Sequence, residues 1–319
     1  LVGTICSAVV GLSMAYLGYG IWSIVYQQLT ATIVNTFTLY AITRKGPTLE
    51  FSFSRLRSLF AYGVKLLGAN VLITGYQEIR ALIIGKVYAA QDLAYFDRGK
   101  QFPSLVVTNI NSSIGAVLFP KMANEQDDME QIRQTTRQSI RFCSYIMSPI
   151  MLGLAAVSEP FVRLLLTEKW LGCVPLMQWF CVVFLFMPIH TANMQALKAI
   201  GRSDTCLNLE LVKKLIEMLA LLAVVWISVE AIVINMALLS ALFTIINAYP
   251  NRRLLHYSYK EQFADICPSL LMGTCVFVTI SVSNHYVLLP DVYTLLVDSV
   301  IGGVLYIGLS LLTRNSEFG

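Results

Sequence analysis

Charge is what this sequence has least of. Asp, Glu, Lys and Arg make up 13% of its 319 residues, about half of the ~25% usual in a soluble domain. Hydrophobic residues reach 56% and the mean hydropathy is +0.65. So few ions cannot cover the surface of a water-soluble protein of this size, which excludes an ordinary cytosolic enzyme and a disordered segment. The seven cysteines show no CxxC pair and no metal-ligand spacing, and most lie inside apolar runs. They read as small buried residues, not as a metal site or a disulfide framework. No Walker loop, GxSxG, HExxH or paired-carboxylate signature occurs, so no enzyme chemistry or cofactor is expected. The net charge of +4 comes without a basic cluster interleaved with aromatics, which excludes nucleic acid as a partner.

What the sequence has is long apolar runs. A bilayer core takes about 20 mostly apolar residues per helix, and that ruler marks ten spans: 2–17, 21–42, 64–85, 103–122, 140–157, 174–197, 206–228, 231–250, 264–283 and 293–312. The runs lack period-2 alternation, so they read as helices and not as barrel strands. The fold class expected is all-α, a polytopic transmembrane helical bundle. The links after every second span hold fourteen Lys and Arg, and the opposite links hold five. The positive-inside rule makes the first set cytoplasmic. Trp22, Trp170, Trp179 and Trp226 fall at or near the outer span ends, as an aromatic belt would. After Gly46-Pro47, the spacing of Phe53, Leu56, Leu59 and Phe60 around Arg55 and Arg57 predicts a short amphipathic helix on the inner leaflet. The chain begins with Leu1 inside an apolar run, without a signal-peptide pattern, and is read as a piece of a longer protein.

Ionisable residues inside such spans face a bundle interior or water and mark function. In span 64–85, Asn70, Thr74, Gln77, Ala81 and Gly85 form one stripe at 100° per residue, flanked by Glu78 and Arg80. That stripe is either buried helix-packing glue or the wall of a solvated cavity. In span 206–228, Glu210, Lys213, Lys214 and Glu217 fall on one face at spacings that allow pairing along the helix. The lysines can snorkel to the inner interface, whereas Glu217 lies too deep and needs a partner or water. Asn109, Ser112, Ser113 and Ala116 give span 103–122 a small polar face, which suits helix packing or a site. His190 and Asn193 follow a kink expected at Pro188, with His190 read as satisfied structure. Asp298 is expected at an outer interface.

The polar links carry a resemblance. Tyr95-Phe96-Asp97-Arg98-Gly99-Lys100-Gln101 resembles the Y-Y-x-R-A-x-Q stretch of Wzx-type oligosaccharide flippases. Phe119-Pro120 with Gln126-Asp127-Asp128, Glu168-Lys169-Trp170, and the run Lys198-Ala199-Ile200-Gly201-Arg202-Ser203-Asp204 are similar to further positions of that family, in its order. Gly99 stands where alanine is common. The resemblance is to the colanic-acid or lipopolysaccharide exporter branch of the multidrug/oligosaccharidyl-lipid/polysaccharide exporter superfamily. It implies two six-helix lobes around a central cavity. Residues 1–42 would be the last two helices of the first lobe and 43–63 a cytoplasmic linker. Residues 64–250 would be a complete second lobe, and 251–319 two additional helices and a tail.

The function the resemblance implies is alternating-access flipping of undecaprenyl-diphosphate-linked oligosaccharide units across the bacterial inner membrane, for surface polysaccharide assembly. The substrate would then meet membrane lipids and other polysaccharide-assembly membrane proteins. A diphosphate cannot cross hydrocarbon without compensating charge. Arg80, Lys213 and Lys214 are therefore the candidates for anion contact, and Asn70, Gln77 and Asn109 for sugar hydroxyls. Glu78 and Glu217 would pair the cations or carry a coupling proton or sodium ion. Two other readings stay open. One is a cation-coupled drug antiporter of the same superfamily. The other is a membrane-embedded glycan polymerase or glycosyltransferase, against which the short outer links argue.

Overall fold

A computed structural model describes residues 2–43, 53, 75, 78–124, 128–286 and 290–312; these hold helices and no strand. The chain forms two compact units, residues 1–70 and 71–319. The amphipathic helix expected in the 43–63 link lies outside the described residues, Phe53 excepted.

In the first unit, α1 (Val2–Tyr16) and α2 (Trp22–Thr43) pack as a pair. Three residues after Tyr16 the chain has already turned. The Tyr19 N–H donates to the Met14 carbonyl at 3.2 Å and the Gly18 N–H to that of Ala15 at 3.1 Å. Gly18 sits at φ +84°, the left-handed residue this helix ending requires.

The second unit runs from α3, described over 78–87, through α4 (Ala90–Asn124), α5 (Met129–Ala156) and α6 (Ser158–Leu166). A 3-10 turn, Glu168–Cys173, leads to α7 (Val174–Leu185), α8 (Met187–Ala199), α9 (Ser203–Val224), α10 (Val229–Leu254), α11 (Tyr259–Tyr286) and α12 (Asp291–Leu312). Its main core joins α4, α5, α7 and α10 through Phe96, Met147, Met151, Phe180, Phe184 and Ile232. The Phe96 and Phe180 rings meet edge-on at 5.1 Å. α11 packs along α5 at close range. A Cβ on Gly273 would come within 3.0 Å of Ser148 Cβ and 3.1 Å of its carbonyl oxygen, so only glycine permits the approach.

Six helical stretches among the described residues are long and apolar enough to cross a membrane: Ala90–Asn124, Met129–Ala156, Glu168–Ala199, Val229–Leu254, Tyr259–Asn284 and Asp291–Leu312. The chain is a multi-pass membrane protein with an all-helical fold. Several helices extend well past the apolar runs that mark them. α4 begins at Ala90, so residues 95–101 ride on the helix and not on a link. α5 begins at Met129 because Asp128 caps it, its Oδ1 accepting from the N–H groups of Glu130 at 3.0 Å and Gln131 at 3.1 Å. Hydropathy reports where a helix meets lipid, and helices continue into water. The kink expected at Pro188 falls at a one-residue interruption, Phe186, whose backbone stays in the right-handed helical region. α7 stops at Leu185 and α8 starts at Met187, with Pro188 in its first turn, where a missing N–H costs nothing.

At the predicted inner end, ion pairs tie α5 to α11. Arg137 grips Asp265 with Nε at 2.7 Å and Nη2 at 3.0 Å, and Arg133 Nη2 donates to Glu261 at 2.7 Å. The Tyr257 hydroxyl also donates to Asp265, at 2.9 Å. Burial, reinforced by the Asp265 carboxylate, pushes this phenol above its usual range, so it remains a donor at all physiological pH. The Asp265 side chain is 5% exposed. Asp265→Ala leaves Arg137 and the buried Tyr257 hydroxyl without their acceptor and should cost about 2–4 kcal/mol. Thermal unfolding of the detergent-solubilised protein checks this. Glu159→Ala, which removes the exposed Glu159–Arg163 pair, should cost less than about 1 kcal/mol. Equal losses from the two would contradict the assignment.

Candidate functional site

Of the eight residues singled out in the sequence, six are described; Asn70 and Gln77 lie outside the described residues. Arg80 points from α3 toward α4 and α10. Its guanidinium carbon stands 5.9 Å from the Phe96 ring centroid, and Nη1 donates to Met236 Sδ at 3.5 Å. It is half-buried, and among the described residues no carboxylate comes within ion-pair distance of it. Lys100 lies one helical turn beyond Phe96, on the same face of α4, and is also half-buried without an ion-pair partner among the described residues. Lys100 feels Arg80 as a like charge and Asp97 and Glu78 as opposite ones. Glu78 and Asp97 are both exposed and stand further off than a salt bridge allows. Two partly buried cations therefore lie close to the Phe96 face of α4, Arg80 against the ring and Lys100 one turn along, an arrangement suited to an anion.

The α9 charges are arranged differently. Lys213, its side chain 8% exposed, is bound by Glu210, and Lys214 by Glu217 at 2.7 Å. Lys213 is 6% exposed over the whole residue, so this lysine turns into the bundle. Leu207, Leu211, Leu215 and Leu222 occupy the exposed face of α9. Each lysine thus carries its own counter-charge one turn away. Asn109 is exposed and spends its amide on its own helix, donating to the Leu105 carbonyl at 2.9 Å. The Asn109 main-chain carbonyl accepts from the Ser112 and Ser113 hydroxyls, both at 2.9 Å.

His190 is satisfied structure: Nε2 lies 2.9 Å from Thr244 Oγ1 and 3.1 Å from the Ser240 carbonyl. Asp298 is buried within the protein. It is 1% exposed, one turn from Gly302, which packs on Val276 and Ile280 of α11, and Asn284 hydrogen-bonds its carboxyl. The small Gly302 lets α11 close over it.

Lys100 escaped the sequence reading because it was placed in a link; extending the helix back to Ala90 puts it on the Phe96 face. A second omission is the buried amide chain at the inner end. Asn251 Nδ2 donates to Asn193 Oδ1 at 2.6 Å and to its carbonyl at 3.1 Å. Asn193 Nδ2 donates to Gln262 at 3.3 Å. Ser240, Thr244, Asn247 and Asn251 recur on one face of α10, and that spacing was the signal available.

Comparison with known proteins follows the same lines. Residues 1–175 match the family model described as polysaccharide biosynthesis protein. The succinoglycan biosynthesis transport protein ExoT of Rhizobium meliloti (strain 1021) is 26% identical over 170 residues, 53% of this chain and 34% of that protein. The teichuronic acid biosynthesis protein TuaB of Bacillus subtilis (strain 168) is 24% identical over 234 residues, 73% of this chain and 48% of that protein. The lipopolysaccharide biosynthesis protein WzxC of Escherichia coli (strain K12) is 27% identical over 158 residues, 50% of this chain and 32% of that protein. The chain thus spans between about a third and a half of the length of these relatives. Among solved structures, the lipid II flippase MurJ in its inward closed conformation superimposes with a TM-score of 0.72 at 15% identity. The match covers 98% of this chain and 67% of that one, and it establishes a shared fold.

The two cation arrangements predict different responses. Glu210→Ala strands the buried Lys213 charge and should destabilise the protein by roughly 1–3 kcal/mol. Adding Lys213→Met to Glu210→Ala should recover most of the loss, as read by thermal unfolding. An additive double variant would show that the pair contributes no coupling.

Proposed function

We propose that this chain, which belongs to the polysaccharide biosynthesis protein family, forms part of a flippase. The flippase moves polyprenyl-diphosphate-linked oligosaccharide units across the bacterial inner membrane. The observation that carries the reading is the pair of partly buried cations Arg80 and Lys100, neither in an ion pair among the described residues, with Arg80 in an apolar span where an ion needs water or a function. A lipid-linked diphosphate supplies the missing negative charge, and a flippase has to desolvate that group reversibly. The names of the relatives, transport and biosynthesis proteins for succinoglycan, teichuronic acid and lipopolysaccharide, support a saccharide cargo over a drug. They also support transport over a membrane-embedded polymerase.

In this reading Arg80 and Lys100 take the diphosphate, and Lys213 and Lys214 join once their glutamates release them. Asn70, Gln77 and Asn109 meet sugar hydroxyls, while Glu78 and Glu217 exchange the cations or bind a coupling proton or sodium ion. Residues 1–42 serve as the last two helices of a first lobe. Residues 64–250 are the six-helix second lobe, and 251–319 add two helices. The lobes rock around a midplane site to expose it to either side. Other polysaccharide-assembly membrane proteins would receive the product.

The test is Arg80→Gln and Lys100→Gln in the complete coding sequence, scored by cell-surface polysaccharide. One charge-assisted contact is worth ~1.5–3 kcal/mol, so each should lower output on the order of 10-fold or more at unchanged protein level. Normal output at normal expression would refute the reading. Unchanged polysaccharide together with dye accumulation in deficient cells would favour a drug antiporter.

A further inference from the structure

Between α10 and α11 the chain makes a compact basic turn at the predicted inner surface. It is anchored from within: Leu255 and Tyr257 are 2% and 0% exposed, Asn251 is tied to Asn193 of α8, and His256 adopts φ +52°. Outward, Arg252, Arg253, His256 and Lys260 are all exposed. The Arg252 guanidinium lies 5.5 Å from the Tyr259 ring centroid and that of Arg253 lies 4.8 Å from Tyr249, which spreads both along the protein surface. The nearest acids of α11 are already consumed, Glu261 by Arg133 and Asp265 by Arg137. Among the described residues, Arg252, Arg253 and Lys260 have no ion-pair partner. Immediately toward the membrane, Ile245, Tyr249 and Phe263 present exposed apolar surface, 56%, 45% and 68% accessible.

We infer that this turn is a docking surface for the headgroups of anionic phospholipids. Cations at the rim meet the phosphate, the tyrosines sit at headgroup depth, and the apolar strip above them takes the acyl chains. That two-part surface suits a phospholipid. A free phosphate would leave the apolar strip uncovered, and a soluble acidic protein would have to enter the bilayer to reach it. Arginines and lysines at a leaflet surface each attract anionic lipid. The inference uses the membrane reading and the inward orientation of this turn; it does not depend on the proposed cargo.

Native mass spectrometry of the full chain in neutral detergent tests it, with phosphatidylglycerol and phosphatidylcholine of identical acyl chains as probes. Phosphatidylglycerol should be retained preferentially, and more weakly as salt is raised. In Arg252→Gln/Arg253→Gln its retention should fall on the order of 10-fold, with phosphatidylcholine unchanged. Lys86→Gln/Lys169→Gln, which removes the same charge at the opposite end, should leave it unaltered. Arg252→Lys/Arg253→Lys keeps the charge and should retain most binding, which separates charge from any effect on folding. The proposal is overturned by equal retention of the two lipids, by equal loss in the control variant, or by displacement of phosphatidylglycerol with inorganic phosphate at matched concentration.

Discussion

Hydrocarbon offers no partner to a charge or an amide, so every polar group on a membrane helix must bring its own or reach water. The second unit answers that demand in three ways. On α9 each lysine is held by a glutamate of the same helix, Glu210–Lys213 and Lys214–Glu217, and the charge is neutralised before any neighbour is involved. At the predicted inner end, Arg133 and Arg137 use carboxylates of another helix, so that neutralisation also ties α5 to α11. Arg80 does neither. It rests against an aromatic ring and a thioether, contacts that partly compensate a guanidinium without cancelling it.

That difference separates charges neutralised within the protein from one that is not. A paired ion holds helices together; an unpaired, half-buried ion retains the capacity to bind. The same reasoning applies to amides. Asn193, Asn251 and Gln262 are locked into one another and join α8, α10 and α11, while Asn109 folds back on its own helix. These amides tie three helices together, while Asn247 on the same face of α10 is buried with both side-chain polar atoms unpartnered among the described residues.

Much of this was legible in the sequence. Low charge and long apolar runs gave the membrane helices, because the bilayer imposes both length and composition. The i, i+3 spacing of Glu210 and Lys213 gave their pairing, because neighbours on a helix depend only on its period. The rest depends on distant contacts. Nothing local says that α4 begins at Ala90, and without that Lys100 reads as a loop residue. The burial of Asp298 depends on Gly302 admitting α11. The inner network joins residues up to 128 positions apart, as Arg137 to Asp265, and neither periodicity nor hydropathy reports such separations.

The account depends on Arg80 and Lys100 meeting water and not acyl chains. In a background lacking the seven native cysteines, cysteine at position 80 or 100 can be probed with a charged, membrane-impermeant thiol reagent in vesicles of either orientation. Modification at both positions from at least one side of the membrane is the result expected, with Leu215→Cys, on the exposed apolar face of α9, unreactive. Positions 80 and 100 as unreactive as 215, from both sides, would contradict it.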